Sequence, residues 1–181
     1  MNQKPISWAA APLLALLLLC QACDPDRPKP EEKFYCKVDG KHWRPDSDGD
    51  FKRITLVSDL MDQGRGIYIR ATDASTNQTI SIYIFDSSGI DTVRSGKLYE
   101  ISLNQALTNN PPAGSFSKNN QTFKTGSNHK GTFRILSIER DQRILTSFKM
   151  KAEFEFTAVS PSGKTVKITQ GQFNDWVRVS Q

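Results

Sequence analysis

The chain has 181 residues, with 24 Lys and Arg against 19 Asp and Glu, a net charge of +5 and 37% hydrophobic residues. That length suits one domain with enough chain to bury a core. The cations are spread along the chain and alternate with acids, as in KMKAEFEF (Lys149–Phe156), and no basic cluster is interleaved with stacking aromatics, so nucleic acid is excluded as the expected partner.

The first element is an apolar run from Trp8 to Leu19, preceded by the cation Lys4. Roughly 12 residues suit the core of a signal peptide and fall short of the ~18–20 needed to span a bilayer. Pro12 inside it argues against a permanent helical span. Two cysteines close the run. Cys20 follows the bulky Leu19, whereas Cys23 follows the small Ala22. The stretch resembles a bacterial lipoprotein processing box, departing from it in Cys20 at the usual Leu position and in the large Gln21. The resemblance implies a signal peptide over residues 1–22 and a diacylglyceryl (palmitate-type) thioether on Cys23. It also implies a membrane partner reached through that lipid, since two or three acyl chains at ~0.8 kcal/mol per buried methylene hold a protein to a bilayer. Removing residues 1–22 takes away one Lys and no acid, which leaves +4. Residues 23–33 follow as a flexible tether. Asp24 to Lys33 holds three prolines and seven charges, with no apolar side chain to enter a core.

Residues 34–181 read almost throughout with period two. FYCKVDGKHWRP predicts a strand, an Asp39-Gly40 turn and a second strand. Alternation then puts Ile54 with Leu56, Ile67 with Ile69 and Ala71, Ile80 with Ile82 and Ile84, and Tyr99 with Ile101 and Leu103, each set on one face. SDLMDQ (58–63) and LNQALT (103–108) have room for a single helical turn. In FKMKAEFEFTA, Phe148, Met150, Ala152, Phe154, Phe156 and Ala158 share one face, and Lys149, Lys151, Glu153, Glu155 and Thr157 share the other. Turns at 140–143 and 160–163 make the C-terminal third a meander. The fold class expected is all-β: a single antiparallel β-sandwich or barrel-like domain with a C-terminal meander. Residues 104–130, rich in Asn, Gly, Pro, Ser and Thr, are long for a structureless loop. They read as a ligand loop, a flexible excursion, or a segment that itself holds an edge strand around Gln121–Lys124.

Two stretches carry a wider resemblance. Lys37-Val38-Asp39-Gly40-Lys41-His42-Trp43 matches a K-V-D-G-K-x-W/F hairpin. Gly131-Thr132-Phe133, Phe154-x-Phe156-x-Ala158 and Gly163-Lys164-x-Val166-x-Ile168-Thr169-x-Gly171-x-Phe173 match a closing pattern G-T-F, F-x-F-x-A and G-K-x-V-x-I-T-x-G-x-F. Together, over residues 33–58 and 131–179, they resemble a family of small lipoproteins of uncharacterised function from Bacteroidetes-type bacteria. The resemblance implies a β-sandwich or barrel-like domain held on the outer membrane, facing the periplasm or the cell surface. It brings no catalytic residues.

Chemistry-bearing motifs are sparse. Asp46, Asp48 and Asp50 alternate as in a calcium loop, but the sixth and twelfth positions are Phe51 and Val57 where Gly and a bidentate acid are needed. A solvated turn fits, with a partial calcium site left open. SPSGKT (160–165) lacks the first glycine of a phosphate loop, because Ala158 stands there. Asp91-Thr92-Val93 resembles the Asp-Ser/Thr-apolar site that such bacteria O-glycosylate, which would make Thr92 a modification site. Glu153 and Glu155 alternate with lysines as a solvated face, not a glycosidase pair. Once Cys20 is removed and Cys23 acylated, Cys36 has no disulfide partner. It is a small buried residue by this reading, and the two histidines, His42 and His129, lie far apart in sequence. Trp43 and Trp176 are either core residues or ligand platforms. The expectation is a lipid-anchored envelope protein with a binding or structural role, no cofactor, no metal and no enzymatic activity. A glycan- or peptide-binding module of a capture system is the alternative, and an inhibitor or immunity protein a further one.

Overall fold

The computed structural model describes residues 32–45, 56–61, 66–86, 94–102, 114–140 and 147–179. These form eleven strands: β1 (Phe34–Val38), β2 (Lys41–Trp43), β3 (Leu56–Met61), β4 (Gly66–Asp73), β5 (Gln78–Phe85), β6 (Leu98–Ile101), β7 (Gly114–Lys118), β8 (Gln121–Lys124), β9 (Gly131–Arg140), β10 (Ser147–Val159) and β11 (Thr165–Val179). No helix occurs among the described residues. The all-β class holds, in its barrel-like form.

The strands make one curled sheet in the order β2-β1-β11-β3-β4-β5-β7-β8-β10-β9-β6, with β10 and β11 also paired. That extra pairing turns the order into a closed circuit through β11, β3, β4, β5, β7, β8 and β10. Two narrow seams close it. β11 meets β3 at Arg178↔Asp59 and Val179↔Leu60, and β10 meets β8 at Val159↔Lys124. The β11–β3 seam is parallel, which the antiparallel reading does not include. At the far end, β6 closes toward β5 by side chains. Asp86, just past β5, accepts hydrogen bonds from Lys97 and from the Tyr99 hydroxyl (3.0 Å), and the Lys97 ammonium lies 5.2 Å from the centre of the Tyr99 ring.

Parity places the core as the alternation predicts. Ile67, Ile69 and Ala71 of β4, Ile80, Ile82 and Ile84 of β5, and every apolar residue from Phe148 to Ala158 of β10 point inward and are buried. Phe34, Trp43 and Phe154 join them as a ring cluster, with centroids 5.9 and 5.1 Å from that of Phe34. Tyr99 and Ile101 are also buried, whereas Ile54 and Leu103 lie outside the described residues. Each large side chain so buried contributes ~1.5–3 kcal/mol.

Two corrections concern local structure. Ser58–Met61 belong to β3, because pairing with β4 from Leu56↔Ala71 to Met61↔Gly66 outweighs any helical turn there. The other proposed turn, 103–108, is outside the described residues. The Asn-rich segment holds a hairpin, β7–β8, and β8 lies between β7 and β10 rather than at an edge. Asn119 and Asn120 both take positive φ (49° and 62°), the requirement of the tight hairpin turn that follows strand twist. Asp39 (φ 50°) and Gly40 (φ 79°) do the same between β1 and β2. Asp39 also docks that turn on β11. Its backbone N–H donates to the Lys167 carbonyl, and its Oδ1 accepts from the Lys167 N–H, each at 2.8 Å.

The closing sequence pattern now has a physical meaning. Tyr35↔Gln172 and Lys37↔Thr169 on β1, and Phe154↔Gly171 and Phe156↔Ile168 on β10, each span one extra residue of β11. β11 therefore carries a bulge, centred on Gln170 at φ 52°. Gly171 leaves room for the Phe154 ring, and Gly131 lets β9 lie directly against the Glu155 carbonyl and Phe156. A Cβ at 131 would press into backbone, whereas one at Gly126 meets nothing within 4 Å. Gly131→Ala is expected to lower stability by ~1–3 kcal/mol, the usual cost of overpacking, in urea denaturation, with Gly126→Ala close to unchanged. Equal midpoints for the two variants would count against the β9–β10 approach described here.

Candidate binding site at the barrel mouth

Inward positions stack in layers. Three of them lead to this end, and the innermost of the three puts Ile69 opposite Ile82 and Ile82 opposite Gly114. Above it, Ala71 faces Ile80, Ile80 faces Phe116 and Phe116 faces Phe123. In the last layer the residue type changes: Asp73 faces Gln78, Gln78 faces Lys118 and Lys118 faces Gln121. An apolar floor thus ends in a polar ring where the β4–β5 and β7–β8 hairpins turn.

Across from this wall stand Val38, Lys41, Trp43 and Arg44 from the β1–β2 hairpin, and Thr165 and Val166 from the start of β11. The two walls enclose an open cavity of about 630 Å³. Volumes of ~300–1,000 Å³ are typical of small-molecule sites, and barrel mouths are common places for them.

The acids of the mouth are engaged by the protein itself. Asp73 Oδ1 accepts from the Ser75 N–H (3.0 Å), the Ser75 hydroxyl (2.6 Å) and the Thr76 N–H (3.3 Å), and Oδ2 accepts from the Thr76 hydroxyl. Burial pushes this carboxyl up, but the hydrogen bonds from Ser75 and Thr76 outweigh it and hold it below the ordinary carboxylate value. Asp39 is committed to Lys167, as above. Arg44 pairs with Glu32 at 3.4 Å. Lys41 and Lys118 make no ion pair within 4.0 Å among the described residues. Trp43 is 6% exposed, lines the cavity, and its indole N–H has no hydrogen-bond partner. An unpaired buried donor costs ~1–3 kcal/mol, which a bound acceptor would recover.

The residues singled out in the sequence fall in several places. Cys23, Thr92 and the trio Asp46, Asp48 and Asp50 lie outside the described residues. Cys36 is fully buried in the core, where loss of water pushes its thiol well above the ordinary range and leaves it chemically inert. His42 reaches the mouth, with its ring 4.6 Å from that of Tyr35. His129 belongs to a turn bridged to Gly126. Glu153 and Glu155 are exposed on the outer face. The two tryptophans part company: Trp43 is in the mouth, whereas Trp176, 37% exposed, sits opposite Lys149. Glu32 and Lys33 contact the domain, Glu32 through Arg44 and Lys33 through a 3.3 Å pair with Asp175 and a carbonyl that accepts from the Asn174 N–H. SPSGKT is the β10–β11 turn, tied by the Ser160 N–H to the Lys164 carbonyl. Among the described residues no three His, Cys, Asp or Glu side chains gather as a metal ligand set.

Sequence reading missed Asp73, Gln78, Phe116, Lys118, Gln121 and Phe123. A signal was present: in each hairpin the inward apolar series ends in a polar residue at the same parity, Ala71 before Asp73, Phe116 before Lys118. Comparison with family models, with curated proteins and with solved structures yields no match.

Because Asp73 is held low, its ionised form stabilises the fold above the unfolded carboxylate value of ~3.9, and that contribution is lost as pH falls through the lower folded value. Asp73→Asn should therefore lower stability by ~1–2 kcal/mol at pH 7, with the gap to wild type shrinking below about pH 4. Urea midpoints across pH 2.5–7 measure this; a gap that stays constant to pH 2.5 would refute it.

Proposed function

We propose that this chain is a lipid-anchored protein of the bacterial envelope, and that its β domain is a binding module for a small ligand taken at the barrel mouth. The observation that carries the binding role is the layered mouth itself. A chain built only as scaffold has no use for a cavity of about 630 Å³ whose floor is apolar and whose rim carries two lysines without ion pairs among the described residues. The address rests on the sequence: the short apolar run, Cys23 after Ala22, the proline-rich charged tether, and the resemblance to small envelope lipoproteins. Under this reading the tether spaces the mouth from the bilayer, and no catalytic group is required.

Glycan capture is the second reading. Trp176 favours it, since a partly exposed indole on the outer face is the kind of platform on which a sugar ring stacks. A single aromatic flanked by Lys149 is a small platform, so the mouth takes precedence.

Two measurements test the proposal. Cys23→Ala should abolish acylation and move the protein from the membrane to the soluble fraction; retention in the membrane would refute the anchor. Protease shaving of intact cells, with a periplasmic control protein, then gives the side. Loss of the domain while the control survives puts it outside, and protection puts it in the periplasm. For the binding role, native mass spectrometry of protein released gently from its own membranes should show bound small molecules. Filling the mouth with Gln121→Trp should remove them. Identical adducts on both proteins would mean that the mouth is not the site.

A further inference from the structure

We infer that the ligand of the mouth is an organic anion with an aromatic body; this rests on the mouth being the binding site. The floor and inner wall present Phe116, Phe123 and Trp43, and the rings of Phe116 and Phe123 lie 6.0 Å apart. Flat apolar guests pack on such surfaces edge-on or offset. The rim carries Lys41, Arg44 and Lys118 against the carboxylates of Asp39 and Asp73. Both Asp73 oxygens and Oδ1 of Asp39 already accept hydrogen bonds from this chain, and Arg44 pairs with Glu32. What remains is Lys41 on one side and Lys118 on the other, both without an acid partner among the described residues. Gln78 and Gln121 supply amide groups between them.

Two unpaired ammonium groups therefore stand over an apolar well. A cationic guest would meet the two unpaired ammonium groups of Lys41 and Lys118 and carboxylates already hydrogen-bonded to this chain. A neutral guest would fill the well but leave the lysines unused. A carboxylate or sulfonate on a ring system engages both features: ring on the phenylalanines, anion between the lysines. At a partly enclosed site, charge-assisted hydrogen bonds are about twice as strong as neutral ones.

The test is calorimetric titration of the full chain in lipid nanodiscs, with empty discs subtracted, using 2-naphthoate and its neutral isostere 2-naphthamide. The naphthoate is expected to bind at least tenfold more tightly. Lys41→Gln with Lys118→Gln should collapse the ratio to within about twofold by weakening naphthoate alone. Gln121→Trp, or Gln78→Phe should the first variant melt early, should abolish binding of both probes. Equal affinity of the two probes for the wild type overturns the anion inference and leaves the mouth standing as an apolar site. Binding of neither probe, or binding indifferent to the filled mouth, overturns the reading of the mouth itself. The wild-type ratio needs no variant and so is independent of any folding defect.

Discussion

The pairing of β10 with β11 is the constraint on which the rest of this protein depends. Twelve matched positions run from Ser147↔Arg178 to Val159↔Thr165. β1, β3, β8 and β9 pair directly with one of these two, and the remaining strands attach through those four. β11 offers its free edge first to β1, over residues 168–173, and then to β3 at 178–179. β10 offers its free edge to β9 along most of its length and to β8 at Val159. The bulge at Gln170 lies within the stretch of β11 that holds β1, before the stretch that holds β3. A bulge adds twist to the strand that carries it, and a twisted strand can serve neighbours pointing in different directions. The sheet curls because its longest strand is made to turn.

Curling leaves one end open. A barrel interior of this size fills with side chains, as the isoleucine layers show, until the hairpins are reached. There the inward positions become Asp73, Gln78, Lys118 and Gln121. These side chains keep their polar ends near water and leave the space above Phe116 and Phe123 unfilled. Two of the mouth's acids are structural. Asp73 organises the β4–β5 turn, and Asp39 pins the β1–β2 turn to β11. Both do this by accepting hydrogen bonds from donors that would otherwise be left open.

Much of this was legible in the chain. Strict alternation from Phe148 to Ala158 specified a strand with one buried face, and each such residue is buried. Asp39-Gly40 specified its turn by the same chemistry that the structure shows. Asn119-Asn120 carried an equivalent turn signal, obscured by the polar composition around it. The short β7 and β8 present only Phe116 and Phe123 as large apolar residues, so their alternation was too brief to stand out. The site was less legible still. Its polar ring is assembled from four hairpin-end residues between Asp73 and Gln121, none forming a motif with its sequence neighbours.

The division follows from the range of the forces involved. Period-two patterning, turn dipeptides and the leader-like N-terminal run are properties of adjacent residues, so the sequence by itself determined an all-β domain, the parity of its strands and the places of its tight turns. Which strand lies beside which is decided by register between distant segments. Asp39 meets Lys167 across 128 residues, and the parallel contact of β11 with β3 joins positions 178 and 59. Closure of the circuit, the bulge that turns β11, and the gathering of Lys41, Trp43 and Lys118 around one cavity exist only once those segments meet. Local preference stops at the hairpin, and only the tertiary structure placed four hairpin ends around a common space.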